Sequence, residues 1–204
     1  MTLSTWSYDE PMAPTTREVL LDSALRLLDG GGVEAVTLRE VGIGAGVSHN
    51  APYKHFASKQ ALLAAVAARE LSERAIEFAA IAQRYPDPAD VLREVLHSYI
   101  GWALTRPARF KLVFGSWSVE SPELTEVAHN AQSALVALVA QAQTAGALPA
   151  GDPERLAALL RALAHGAADL AAAGHLSADG KGHADPSDLV DDLLGYLRAS
   201  ARPA

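Results

Sequence analysis

The chain has 204 residues, half of them apolar and none of them cysteine, with Lys+Arg 17 against Asp+Glu 24 for a net charge of −7. That length suffices for one substantial core, or for a small module packed on a larger one. Without cysteine there are no disulfides or zinc–thiolate sites, and the acidic balance gives no overall attraction to nucleic acid or anionic lipid, so a DNA-binding surface would have to be local.

Residues 1–14 include Asp9 and Glu10 but neither Lys nor Arg. They lack the basic start and apolar run of a signal peptide and read as a flexible tail on a cytoplasmic protein. Apolar stretches further on are short (Ala61 to Ala68 is typical), so no membrane span is expected. Ala and Leu dominate, and apolar residues recur at spacings of three and four, the pattern of an all-α chain. The pattern breaks at Gly30-Gly31-Gly32, at Pro86 and Pro88, at Pro107, at Ser121-Pro122, from Gly151 to Pro153 and from Gly180 to Pro186.

The spacing predicts a first helix from Thr16, its N-cap, to Asp29, with Val19, Leu20, Ala24, Leu27 and Leu28 as its buried stripe. The glycine triplet should stop it. Thr37 and Glu40 predict a capping box at the start of a short second helix. Ala45-Gly46-Val47 reads as a tight turn needing positive φ at Gly46, and Ser48 as the cap of a third helix, His49 to about His55. A longer helix should run from Ser58 to about Gln83, with Leu62, Leu63, Val66, Ala67 and Glu70 along it, and five more follow, the last from Asp185 to about Ala201.

Two short helices joined by a tight turn can set one across the DNA backbone and the next into the major groove. Leu38, Val41, Val47 and Phe56 are spaced to hold the pair against the first helix. The third helix is polar at its front and basic towards its end, so its first turn can present base-edge contacts, and its Tyr and Lys phosphate contacts.

Residues 17–66 resemble the DNA-binding domain of the tetracycline-repressor (TetR) family. The matching residues are Ala24, Leu28, Gly32, Thr37-Leu38-Arg39-Glu40-Val41, Ala45-Gly46-Val47-Ser48, Tyr53-Lys54-His55-Phe56, Ser58-Lys59 and Leu62-Leu63. The resemblance implies a helix-turn-helix domain at 15–62 and a helical sensor and dimerisation domain at 63–204. Two departures stand out: Gly42-Ile43-Gly44 in the second helix, where each glycine weakens a helix by roughly 1 kcal/mol against alanine, and Pro52 in the third. The expected DNA-binding residues are Thr37, Arg39, Ser48, His49, Asn50, Tyr53, Lys54, His55 and Lys59. From Thr15 to Ala68 five basic residues are balanced by five acidic ones, so phosphate attraction would depend on orientation.

Beyond the head, Tyr99, Trp102, Phe110, Phe114 and Trp117 place five aromatic residues in nineteen positions beside small residues, which predicts either an apolar ligand pocket or a bundle core. His129 and the i,i+4 pair His165 and Asp169 join them as candidate ligand contacts. Leu160 to Gly166 resembles a TetR subgroup with a Trp-His-Gly sensor signature, Ala164 standing in place of the tryptophan. The histidines lack metal-binding spacing and no cofactor motif is legible, so neither a metal nor a cofactor is expected. Leu156, Leu159, Leu163, Leu170, Leu189, Leu193, Tyr196 and Leu197 on the last two long helices are expected to form a four-helix interface between two chains, or alternatively an intrachain hairpin.

No nucleophile–base–acid set is legible, so an enzyme is not expected. The resemblance implies a homodimeric repressor of a palindromic operator, released from double-stranded DNA by a small, largely apolar effector. The rival is a helical ligand-binding dimer whose DNA binding is weak or lost, suggested by the neutral head and the paired glycines.

Overall fold

The computed structural model describes residues 13–201; the expected tail at 1–14 lies outside them except for Ala13 and Pro14. The described residues form nine helices: α1 (Thr16–Ala35), α2 (Leu38–Gly44), α3 (Ala51–His55), α4 (Lys59–Arg84), α5 (Pro88–Thr105), α6 (Pro107–Val113), α7 (Pro122–Thr144), α8 (Pro153–Ala172) and α9 (Pro186–Ala201). None of them is long and apolar enough to cross a membrane. Each of α5 to α9 begins on a proline, whose fixed φ suits the first helical position and whose missing N–H has no intrahelical partner to lose there.

The N-cap of α1 is Thr15, not the expected Thr16. Thr15 accepts from the Glu18 backbone N–H and donates its own to Glu18 Oε2 at 2.6 Å, a full capping box. At α2 the Thr37 hydroxyl accepts from the Glu40 N–H at 3.1 Å. The glycine triplet kinks α1 rather than ending it at Asp29. Gly31 (φ −153) and Gly32 (φ +67) leave helical geometry inside the element, and Gly32 takes a conformation open chiefly to glycine.

The buried core forms two main clusters. One joins α1, α2, Phe56 and the first half of α4 to Trp102 and Ala103 of α5 and to Phe110, Leu112 and Val113 of α6. The other joins Leu92, Leu96 and Ile100 of α5 to α7, α8 and α9. The expected boundary at 62/63 thus falls inside α4 and inside the first cluster. The head and the sensor half share one body of packed side chains, each fully buried Leu contributing about 1.5–3 kcal/mol. A hairpin of α8 on α9 closes the second cluster through Leu160, Ala164, Val190 and Leu194.

Candidate DNA-binding face and sensor cleft

Gly46 adopts φ +66, as the turn between α2 and α3 requires. The third helix starts later than expected. Ser48 does not cap it; its carbonyl accepts from the Ala51 N–H at 2.9 Å, making a turn, and Asn50 occupies the N-cap position without a side-chain cap bond. Pro52 falls in the first turn of α3, where a backbone donor has no partner in any case. Its ring is buried against α2: a Cβ on Gly42 would lie 3.0 Å from Pro52 Cγ. The two departures from the family pattern are therefore one contact, a glycine making room for a proline.

Gly44 makes a second close approach. A Cβ there would lie 2.5 Å from Ser23 Oγ, and that buried hydroxyl donates to the Val41 carbonyl at 2.9 Å. Arg26 donates to the Gly44 carbonyl at 3.1 Å, satisfying the end of α2. With Pro52 and Phe56 turned inward, the rest of the segment faces out. Thr37, Arg39, Ser48, His49, Asn50, Tyr53, Lys54 and His55 are all exposed, with the His49 and Tyr53 rings 5.9 Å apart. Lys59 is half-buried, 3.9 Å from Glu34.

The charge balance of the head changes character in three dimensions. Asp22 pairs with Arg69 of α4 at 2.6 Å, and Asp29 pairs bidentately with Arg109 of α6 at 2.8 and 2.6 Å. Cations of the sensor half thus neutralise two acidic residues of the head. Arg39 and Lys54 form no ion pair among the described residues.

In the sensor half, Tyr99, Trp102, Phe110, Phe114 and His165 pack on one another. Phe110 lies 5.4 Å from Trp102, 5.0 Å from Phe114 and 4.7 Å from His165, centroid to centroid. Tyr99 Oη and His165 Nδ1 share a hydrogen bond at 2.9 Å, and burial raises the Tyr99 pKa above the usual phenol range. Asp169 is more distant, 3.7 Å from His165. Trp117 is half-buried against the first core cluster. His129 is exposed on α7.

Beneath this cluster runs a polar chain. Trp102 Nε1 donates to Glu70 Oε2 at 3.3 Å, Arg109 donates to Glu70 Oε1 at 2.8 Å, and Arg109 continues to Asp29. Glu70 is 1% exposed, and these donors meet both of its oxygens. The bonds from Arg109 hold Asp29 below the usual carboxylate range, and those to Asp29 raise Arg109 in turn. These are the residues that sequence reasoning missed as a set. Its one signal was Glu70 itself, in register with Leu63, Val66 and Ala67 on the apolar stripe of a helix.

Two clefts open between α4 and α5. One, of about 370 Å³, is lined by Arg74, Glu77, Ser98, Gly101, Trp102, Thr105 and Arg106; the other, of about 290 Å³, by Glu77, Ala80, Ile81, Arg84, Tyr85, Glu94 and Ser98. Of the expected ligand contacts, Trp102 lies on a cleft. The Arg74 guanidinium sits 5.9 Å over the Trp102 ring and donates to Glu77, while its buried Nε has no acceptor. A donor left so costs about 1–3 kcal/mol.

A three-helix head with an outward third helix, continuous with a helical bundle, defines a helix-turn-helix regulator of two functional halves. The chain belongs to the tetR family of bacterial transcriptional regulators. "Bacterial regulatory proteins, tetR family" matches residues 20–66, and "Tetracyclin repressor-like, C-terminal domain" matches residues 92–197. The chain is 35% identical over 101 residues to the HTH-type transcriptional regulator AcrR of Shigella flexneri, a match covering 48% of this chain and 46% of that protein. It therefore spans about half the length of this curated relative. A protein of unknown function from Rhodococcus sp. RHA1 shares the whole fold, with a TM-score of 0.79, 28% identity, and 95% of this chain and 98% of that one covered. AibR, solved in complex with isovaleryl coenzyme A and operator DNA, has the same fold at a TM-score of 0.61 and 16% identity, covering 90% of this chain and 98% of that one.

Proposed function

We propose that the chain is a ligand-responsive repressor whose dimer binds a palindromic duplex through α3 and the residues flanking it. The observation that carries this reading is the outward set of Arg39, His49, Asn50, Tyr53 and Lys54, held in place by the inward Pro52 and Phe56. Lys54 and Arg39 would meet phosphates, and His49 and Asn50 base edges. The rival, a ligand-binding dimer that has lost DNA, drew on the neutral head and the paired glycines. Both features have another role: two of the five acidic residues, Asp22 and Asp29, are engaged by Arg69 and Arg109 while Glu123 takes Arg17, and the glycines seat Pro52 and Ser23.

Two-fold reading of paired half-sites needs a dimer. Leu160, Ala164, Val190 and Leu194 face into the chain, whereas Leu159 (53%), Leu170 (49%) and Tyr196 (73%) are exposed on the outer side of the α8–α9 hairpin. Leu156, Leu163, Leu189, Leu193 and Leu197 are half-buried between these faces. That outer face supports a four-helix interface between two copies. AibR, solved with both isovaleryl coenzyme A and operator DNA, is a precedent in the same fold for a chain that takes a small ligand as well as DNA. Coupling of that kind usually amounts to roughly 1–3 kcal/mol.

The test is duplex binding as a function of salt, on operator DNA selected from a random-sequence library. Affinity is expected to fall steeply as salt rises, and Lys54→Ala to reduce the slope of log K against log salt by about 0.9. Salt-independent binding, or affinity indifferent to both Tyr53→Ala and Lys54→Ala, would remove the assigned DNA face.

A further inference from the structure

The two clefts between α4 and α5 share Glu77 and Ser98 and so form one furrow. Its charge is uneven. The ionisable groups of the larger cleft are Arg74, Arg106 and Glu77, one positive charge in excess. Glu77 is already engaged, since both Arg74 and Ser98 donate to it. Arg106 is exposed and forms no ion pair among the described residues, and Arg74 Nε has no acceptor. Glu70, the carboxylate on the far side of Trp102, is held by Arg109 and by the indole N–H. The smaller cleft adds Ala80, Ile81 and Tyr85, together with Arg84 and Glu94.

We propose that this furrow binds a small monocarboxylic acid with an apolar body. The proposal rests on the ligand-responsive reading above and names the chemical class of its effector. The carboxylate would sit by Arg106 and the Arg74 guanidinium, supplying the ion-pair partner that Arg106 lacks, and the apolar body would lie along Gly101 towards Ile81 and Tyr85. A neutral ligand leaves the excess positive charge unanswered. Trp102 lines the furrow and bonds Glu70, so occupancy would be felt through Arg109 at Asp29, on the helix that enters the DNA-binding head.

Calorimetry on the full chain, without DNA, tests this with phenylacetate and hexanoate against phenylacetamide and hexanamide. At least one acid is expected to bind saturably and about tenfold more tightly than its amide, as a charge-assisted contact requires. Arg106→Gln, at an exposed position, is expected to bring the acid to the level of the amide while the thermal melt stays unchanged. No saturable binding by either acid, or equal binding of acid and amide, overturns the proposal. Should Arg106→Gln fail to fold, the acid–amide contrast on the unaltered protein still decides. Loss of DNA binding alone would count against the regulator reading and not against this site, because the calorimetry contains no DNA.

Discussion

Gly44 has no room for a methyl group. Its Cβ would fall 2.5 Å from Ser23 Oγ, and Ser23 cannot turn away without giving up the buried bond it donates to the Val41 carbonyl. Alanine would gain roughly 1 kcal/mol of helix propensity and lose a buried hydrogen bond worth about 1–3 kcal/mol with its unmet groups. Gly44→Ala is therefore expected to destabilise the chain by about 1 kcal/mol in urea unfolding. Adding Ser23→Ala should recover stability relative to Gly44→Ala alone, since clash and unmet donor leave together; strict additivity of the two substitutions would contradict this account. The same logic explains why composition misleads at Gly42. A glycine in a helix reads as weakness until the partner across the contact, here the ring of Pro52, is known.

At the scale of elements, the link of α1, α4 and α6 is decided by one buried carboxylate. Removing Arg109 would leave Glu70 without its guanidinium at a site 1% exposed. Breaking such a pair typically costs about 3–5 kcal/mol, so Arg109→Ala should lower the unfolding free energy by that order in urea. Asp29 sets the sign of the pH dependence. Its folded pKa is depressed by Arg109, so its contribution is present above the ordinary carboxylate range and is lost as pH falls below about 4. The acid-side decline in stability should be shallower in Arg109→Ala than in the unaltered chain; equal declines would show that Asp29 does not contribute. The aromatic residues between α5 and α6 illustrate the opposite outcome. Tyr99, Phe110 and Phe114 find one another and His165, and of their group it is Trp102 that lines a cleft.

For the whole molecule, the outer side of the α8–α9 hairpin is the surface with most to gain from burial. Leu159 and Leu170 lie eleven residues apart, close to three helical turns, so they share a face of α8. A charge placed there would be desolvated in a dimer and harmless in a monomer. Leu159→Glu with Leu170→Glu is expected to give a monomer by analytical ultracentrifugation, with an unchanged helical spectrum and operator affinity reduced by well over tenfold. A dimer that persists in this double variant would place the interface elsewhere.

Much of this was legible in one dimension because the physics is local. Proline cannot continue a helix but starts one well, and the breaks read at Pro88, Pro107, Pro122, Pro153 and Pro186 are where α5 to α9 begin. Gly46 must take positive φ wherever the turn is built, and Thr37 meets the Glu40 N–H three residues on. Such features need only neighbours in the chain. The pairing of Gly42 with Pro52, the donors that meet both oxygens of Glu70 and the furrow between α4 and α5 join residues about ten to forty apart. Which side chains meet there depends on how helices pack, and hydrophobic periodicity is silent on that. Sequence thus determined the helices and the outward third helix; tertiary packing decided which acidic residues of the head are neutralised and where open space remains.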